Sequence, residues 1–521
     1  MKVVLVTTRA AKDLIYDVIK DIKGFDIKVL VLRNIPVAAL ATTNDIAMEL
    51  RDRINELKNV DLVIIPGLVK GSAEVIEEVI GVDVVKGTIY AGDIPVMLEF
   101  IKRGLRLSKE KAADEVIGEY LRRSYEARFK EIMSKLRPLF KVKNVVFTEK
   151  PPPINLFLEV MVNKVGNASI AETIVKRLIS NNYQGLILGC DIEECNVNKL
   201  IDVITWITKY AEQYDSPLLI GIDAPISLIA KLKDNVLSLI DMILNISPKS
   251  LRDNFVKVNL NDKVLVVPIE AELKFDEIKE LINFINDLGL DKVIYDVPLR
   301  PPLLGLGKAL NAYALLRSLT NKPLFIGLAN VYELMDVDSH GIIALLESIA
   351  FEYGISNMLL TEESPKAMGA LEEANIVRDL IYRAYLRRSP PIDVGLNLLI
   401  IKDKRRELIK PPKINDYRKV ALINTFVPPV LDKNYYLKIY VDHSSKEIIV
   451  DVHDAKSGEI IKRFQGKDSL SLGRSIVRSI GLGNEHSLYL GYELCKAEIA
   501  LALGKSYIQD VPLFRPHHFR R

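Results

Sequence analysis

Between residues 156 and 386 the chain repeats one pattern: a short apolar run, a polar break, then a stretch long enough for an amphipathic helix. The runs are FLEVMV (157–162), GLILGC (185–190), PLLIGI (217–222), DMILNI (241–246), KVLVVPI (263–269), KVIYDV (292–297), PLFIGL (323–328) and ISNMLL (355–360). They are nearly continuous in hydrophobicity, as strands covered on both faces must be, and they read as parallel strands joined by crossover helices. Eight such units in about 230 residues is the arithmetic of a (β/α)8 TIM barrel rather than of a doubly wound open sheet. Chemistry on that fold sits at the C-terminal ends of the strands.

The flanks have different patterns. VVLVTT, IKVLVL and DLVIIPG alternate with helical stretches and predict an α/β, Rossmann-like domain over residues 1–148, extended by the charged helix KEKAADEVIGEYLRRSYEARFKEIMSKLR. PPP at 151–153 breaks the chain and places the barrel at 149–390. The basic, proline-containing stretch KDKRRELIKPPK marks a linker over 391–417. The remainder, 418–521, opens with YYLKIYVDHSSKEIIVDVHD, which alternates as a hairpin or meander, and continues in a helix ending at Gly504. That predicts a small α+β domain. No internal repeat or low-complexity tract is present.

Composition narrows the classes. Apolar residues make up 49% and charged residues 27% of the 521, the balance of a globular protein with ample core. A net charge of +3 gives no support to a nucleic-acid or membrane-surface role. Three cysteines cannot build a disulfide framework, which points to a reducing cytoplasm, and the Cys190–Cys195 spacing lacks the further ligands of a zinc site. The N-terminus lacks a signal-peptide pattern and no apolar run is long enough for a membrane span. Only four Gln against abundant Ile, Lys, Glu and Arg favours a thermophilic source.

Candidate chemistry comes from polar residues where the apolar runs stop. Asp191, Asp223, Asn245, Asp296 and Asn330 end or follow strands two, three, four, six and seven. On a barrel they face one mouth. A carboxylate held there must be paired, because desolvation without partners costs several kcal/mol. A ligand with adjacent N–H groups meets that need, as the amino-pyrimidinone edge of a pterin does; plain helix capping by each residue is the simpler alternative.

At these residues the chain resembles the pterin-binding superfamily of dihydropteroate synthases and methyltetrahydrofolate-dependent methyltransferases. GIDAP is similar to the segment whose Asp binds pterin (Asp223), LNISPKS to the segment bearing the pterin-binding Asn (Asn245), and IYDVPL to the strand-six segment (Asp296). GLANV is similar to the methyltransferases' Gly-Leu-Ser-Asn-Val, whose Asn reaches the reduced pterin near N5 (Asn330). Over nearly its full length the chain looks most like archaeal dihydropteroate synthase-related proteins, through VVKGTIYAGDIPVMLEF and YLGYELCKAEIALALGKSYIQDVPL. It departs from authentic synthases after strand seven (LANV for Ser-Arg-Lys), after strand eight (LLTEESPKA for an Arg-x-His type segment) and on strand one, where FLEVMVNKVGNAS offers Glu159 and Asn163 without a clear register.

The resemblance implies a cytoplasmic, pterin-binding transferase of folate or tetrahydromethanopterin metabolism. Asp223, Asp296 and Asn330 would be catalytic, and Asp191, Asp223, Asn245, Asp296 and Asn330 would bind pterin. A synthase would join the pterin methyl carbon to an arylamine with loss of pyrophosphate, with Mg as an aid only then. Lys249, Arg300, Ser364 and Lys366 are the anion candidates, weighed against helix capping and surface lysines. A methyltransferase would instead serve a corrinoid protein or a thiol, and a third reading is a non-catalytic carrier. A homodimer is compatible with each. Elsewhere, Gly67 and Gly71 between a strand and a helix suggest an anion seat without a Walker or dinucleotide fingerprint, and GTIYAGDIP, with Lys86 and Asp93, is expected to close over the mouth. His486, Glu493 and Lys496 share one side of a tail helix that reads as packed or subunit-contacting, and the six scattered His form no metal site.

Overall fold

The computed structural model describes residues 1–190, 196–252, 260, 262–392, 394–402, 421, 423, 425, 427–428, 430 and 432–514. Asp191, Cys195 and most of the expected linker lie outside the described residues. The chain forms two compact units, Met1–Asp403 and Lys404–Arg521.

The first unit opens with a parallel sheet of β1 (Lys2–Thr7), β2 (Asp26–Val31), β3 (Leu62–Ile65) and β4 (Val84–Lys86), in the order β2-β1-β3-β4. Both faces are covered. Val4, Val6, Val63 and Ile65 point into one buried cluster, and Val3, Leu5, Leu62 and Ile64 into another. This two-sided burial is why the sequence runs are apolar throughout and not alternating.

A hairpin of β5 (Phe140–Val142) and β6 (Val145–Phe147) follows. Its Val145 and Phe147 share a buried cluster with the inward side chains of the barrel. Lys143 at its turn donates to Leu218 O (2.9 Å) and pairs with Asp241 (2.7 Å), just before the third and fourth barrel strands. The hairpin therefore plugs the end of the barrel where the strands begin.

The barrel itself is closed and fully parallel: β7 (Asn155–Met161), β8 (Gly185–Gly189), β9 (Leu219–Asp223), β10 (Met242–Ile243), β11 (Val264–Pro268), β12 (Val293–Asp296), β13 (Leu324–Gly327) and β14 (Asn357–Thr361), with β14 pairing back to β7. All eight apolar runs are strands, as the pattern predicts. Outward residues such as Leu156, Leu186, Ile220 and Val293 pack beneath the surrounding helices. The inward row, Phe157, Ile187, Leu219, Met242, Val264, Ile294 and Phe325, fills the interior. The strand period of two then carries Glu159, Gly189, Asp223 and Asp296 inward at the next levels, towards the C-terminal mouth. After β9 the crossover carries only the short helices Ile226–Ile229 and Asp234–Leu237, and Pro248–Arg252 is helical after β10.

GTIYAGDIP does not close over the mouth. Asp93 is fully buried and accepts from Arg387 Nε (2.5 Å), at the C-terminal end of the helix Ala370–Arg387. That helix starts at the mouth and returns to the opposite end of the barrel, so the segment packs where the strands begin. A Cβ on Gly92 would lie 2.0 Å from Arg387 O, and only glycine permits the approach. Lys86 is buried within the N-terminal sheet.

The second unit is α+β: an antiparallel sheet of β15 (Tyr435–Asp442), β16 (Glu447–Asp454) and β17 (Ile460–Gly466), followed by helices Ser469–Ile480 and Asn484–Leu503. The last helix ends at Gly504 in the left-handed conformation (φ +65°). Glu493 and Lys496 are buried on it and bonded to one another at 2.7 Å.

Candidate active site at the barrel mouth

A cavity of about 530 Å³ opens at the C-terminal ends of β7 to β10. That volume suits a small bicyclic ligand. Its polar lining comprises Glu159, Asp223, Asn245, Ser227 and Ser250, with Met161, Ile226 and Ile243 among the apolar walls.

Asp223 ends β9 half-buried, and its Oδ2 accepts from Asn245 Nδ2 at 2.6 Å. Asn245 has φ +56°, a left-handed conformation that Asn adopts more readily than most side chains. The residue type thus serves both the turn after β10 and the carboxamide donor. Burial raises the Asp223 carboxyl above its ordinary range, and the Asn245 bond opposes the rise.

Glu159 lies one strand period beyond Phe157 on β7. Its carboxylate occupies the space that a side chain at position 189 would fill: a Cβ on Gly189 would sit 3.0 Å from Glu159 Oε1 and 2.6 Å from Met161 Sδ. Burial, then the charges of Asp223 and Glu363, push Glu159 up to about 7.

Asp296 ends β12, buried, and is not among the residues lining the cavity. Tyr313, from the following helix Leu306–Leu319, sets its hydroxyl 2.8 Å from Asp296 Oδ1 and 2.6 Å from Phe325 O, and accepts from Val297 N at 3.1 Å. One hydroxyl proton cannot serve two acceptors. With that proton on the carbonyl, the contact to Oδ1 is a hydrogen bond when the carboxyl carries its own proton. The electrostatics agree: burial first, and the Asp223 charge with it, raise Asp296 to about 7 against the opposing Tyr313 bond. Burial therefore raises all three carboxyl groups, on β7, β9 and β12, with Glu159 and Asp296 reaching about 7.

The other predicted residues are spread around the rim. Asn330 is exposed on the short helix Ala329–Tyr332, and its Nδ2 donates to Leu299 O at 3.0 Å, tying two mouth loops together outside the cavity lining. Lys249 is exposed on the segment Pro248–Arg252. Arg300 Nη2 lies 3.7 Å from Glu270 and 3.5 Å from Glu272. Ser364 does not present free donors, because Glu333 accepts its N–H at 3.2 Å and also its hydroxyl. Lys366 Nζ donates to Met335 O at 2.8 Å and reaches Asp336 at 3.4 Å. Asn163 is exposed beyond β7, where its carbonyl accepts from Lys199 at 2.8 Å.

Glu159 was offered by the strand-one segment without a register, whereas Tyr313 and Glu333 were not among the predicted residues. Counting by two from Phe157 would have brought Glu159 inward. Tyr313 and Glu333 carry no sequence signal, since their roles depend on which strand end each helix passes. Cys190, which the reducing-compartment argument counted as a thiol, is disulfide-bonded, while Cys495 is free and exposed. Among the described residues, no group of three or more His, Cys, Asp or Glu could hold a metal ion, and no helix is long and apolar enough to cross a membrane.

Fold and mouth together define a (β/α)8-barrel protein with a carboxylate- and amide-lined pocket. The particulars are these. The family PterinBD-DUF4346 matches residues 431–510, within the second unit. An uncharacterized protein of Methanocaldococcus jannaschii is 29% identical over 538 residues, covering 99% of both chains. Similar solved structures include Plasmodium falciparum HPPK-DHPS with STZ-DHP (14% identity, TM-score 0.36, 46% of this chain and 49% of that one). The 7,8-dihydropteroate synthase of Vibrio fischeri also matches (13%, TM-score 0.36, 46% and 94%). So does a truncated 3-deoxy-D-arabino-heptulosonate 7-phosphate synthase of Thermotoga maritima (11%, TM-score 0.33, 48% and 88%). The chain spans about half the length of the Plasmodium chain it matches.

Proposed function

We propose that the chain is a pterin-binding transferase of folate or tetrahydromethanopterin metabolism that joins a pterin methyl carbon to an arylamine with release of pyrophosphate. The observation that carries this reading is the Asp223–Asn245 pair, 2.6 Å apart, set with Glu159 in one cavity of about 530 Å³. A carboxylate accepts two adjacent N–H groups of an amino-pyrimidinone side by side, and the carboxamide serves its ring nitrogen or carbonyl. A pterin would add its own N–H donors to the one Asn245 already supplies to Asp223.

The chemistry follows from the charge. As the bond from the pterin methylene to pyrophosphate breaks, positive charge develops on the ring system, and fixed carboxylates at the mouth stabilise it. The amine nitrogen forms the new bond and sheds a proton. Glu159, poised near neutrality, is placed to take it. The oxygens of Glu159 and Asp223 are ligands of the type Mg takes together with substrate phosphates.

One observation favours a second reading, methyl transfer from a methylated tetrahydropterin. Among the described residues lining the cavity none is Lys or Arg, so those residues offer no cation to a departing pyrophosphate. A methyl transfer needs none.

The test is to titrate the protein with a 6-hydroxymethylpterin by calorimetry, then to supply its dihydro pyrophosphate ester with an arylamine and assay pyrophosphate. Binding and release are the expected results. Methyl loss from a methylated tetrahydropterin, without pyrophosphate release, would select the second reading. Asp223→Ala should weaken pterin binding ten-fold or more, at least about 1.4 kcal/mol, with the fold intact by circular dichroism. Unchanged affinity would remove it from the site.

A further inference from the structure

The strand order of the N-terminal sheet builds in a crevice. From β1 the chain crosses first to β2 on one side and then to β3 on the other. After β1 it enters the helix Lys12–Ile19, whose Ile15 packs on one face of the sheet. After β3 it enters the helix Glu74–Ile80, whose Ile76 and Ile80 pack on the opposite face. The two loops part beyond the carboxyl ends of β1 and β3, where doubly wound sheets take their ligands.

Polar side chains top the apolar layer at that edge. Val6 of β1 and Val84 of β4 belong to the cluster beneath the helix Glu74–Ile80. Two residues further on, Thr8 and Lys86 continue the same rows, Thr8 with extended backbone (φ −110°, ψ 168°). The helix Thr43–Arg51 lies on this face through Ile46, Ala47 and Leu50. It opens with Thr43, whose hydroxyl a Cβ on Gly71 would meet at 2.3 Å. On the intervening strand, Gly67 follows two residues after Ile65 and brings no side chain between Thr8 and Lys86.

Thr8, Thr43 and Lys86 are 1%, 3% and 6% exposed, and their side chains make no hydrogen bond or ion pair among the described residues. Buried polar groups are ordinarily bonded, and a buried ammonium calls for a negative partner. The acids of the neighbouring helix are engaged elsewhere. Asp45 accepts from Thr42 N and Oγ1 at 2.9 and 2.6 Å, and Glu49 accepts from Arg33 N at 2.7 Å. The three polar tips keep contact with solvent, so a solute reaches them. Two hydroxyls and an ammonium call for an anion with several oxygens. Donors arriving from two strands and a helix do not share a plane, which suits a tetrahedral oxyanion better than a flat carboxylate, and lysine serves phosphate as a point charge.

We infer that Thr8, Thr43 and Lys86 hold a phosphate group of a small molecule at the carboxyl edge of the N-terminal sheet. The site is separate from the barrel mouth and stands whichever reaction the barrel performs.

The test uses the full chain with inorganic phosphate, pyrophosphate and ATP as probes, followed by calorimetry and thermal unfolding. At least one should bind and raise the melting temperature, since a ligand held only by the folded state stabilises it. Equal affinity for inorganic phosphate and ATP would identify the free anion as sufficient, and preference for ATP a nucleotide. Lys86→Met keeps the stem and removes the charge. It should weaken binding at least about ten-fold and leave the ligand-free protein as stable as the parent, because that charge has no partner to lose. If Lys86→Met misfolds by circular dichroism, Thr8→Val with Thr43→Val reads the same site. The bound probe should slow amide exchange at residues 8–11 and 67–72 and leave β8 and β9 unchanged. No saturable binding of any probe below about 1 mM would overturn the inference. Binding indifferent to these substitutions, or protection confined to the barrel mouth, would overturn it as well.

Discussion

At the scale of single residues, the mouth is governed by carboxyl groups that burial keeps partly protonated. Glu159 and Asp296 both sit near 7, principally through desolvation. Their folded values lie above the unfolded ones, the reverse of a salt-bridged acid. Between the two values the folded state holds more protons than the unfolded chain. Each contribution to stability is therefore complete below the unfolded value and is lost as pH rises through about 7. Between pH 5 and pH 8 the ligand-free protein should lose stability, on the order of a few kcal/mol across the two groups. Glu159→Gln and Asp296→Asn keep the shapes and remove the titration. Each should melt higher than the parent at pH 8, with the difference closing by pH 5. Differential scanning at the two pH values decides it, and a pH-independent difference would mean the carboxyls ionise normally. A bound pterin should narrow the gap at pH 8, because its N–H donors stabilise the ionised form.

At the scale of elements, each strand end delivers a group only if its neighbours leave space. Gly189 is the clearest case, since Glu159 and Met161 fill the volume above it. In Gly189→Ala the new methyl would meet the Met161 sulfur at 2.6 Å and the Glu159 carboxylate at 3.0 Å. Overpacking of that kind costs about 1–3 kcal/mol and should tilt Glu159 out of the cavity. Turnover should fall ten-fold or more, and the pH at which it is half-maximal should move with Glu159. A lowered melting temperature with an unshifted pH profile would instead confine the effect to packing.

These same strands show what was legible in the chain. Parallel strands covered on both sides advertise themselves as apolar runs, and a polar residue closing such a run stands out, which is how Asp223, Asn245 and Asp296 were visible. Glu159 was obscured because it falls inside FLEVMV rather than at its end, so the run looked merely interrupted. The anion seat at Ser364 had a sound local signal in the Ser-Pro helix start. Its donors are taken by Glu333, a residue 31 positions earlier, and no local pattern encodes that pairing. The placement of GTIYAGDIP failed for the same reason: its partner, Arg387, lies 294 residues beyond Asp93.

At the scale of the whole first unit, that distant partner joins the N-terminal sheet domain to the barrel. The Arg387 guanidinium pairs with Asp93 and Asp114, the latter at 2.8 Å, and lies over the rings of Tyr90 and Tyr125 at 4.7 and 5.7 Å. Tyr125 donates to the second Asp93 oxygen, and Arg128 donates to Leu386 O at 3.2 Å. Asp93 and Arg387 are buried almost completely, so their Coulomb attraction is repaid against desolvation only while both remain. Arg387→Met keeps much of the stem packing and strands a buried carboxylate, which should cost about 3–5 kcal/mol. The loss should localise. Amides of β1 and β3 should exchange faster, whereas those of β8 and β9 should change little, because the contact lies at the end of the barrel remote from the mouth. Pterin affinity should for the same reason stay within about two-fold, a fraction of a kcal/mol. Replacing both members, Asp93→Asn with Arg387→Met, removes the charge at Asp93, leaves that of the less buried Asp114, and should recover part of the stability. Hydrogen exchange on the three proteins distinguishes a clamp from a bystander: uniform acceleration across both sheets, or a double variant no better than the single one, would show that the pair does not hold the two layers together.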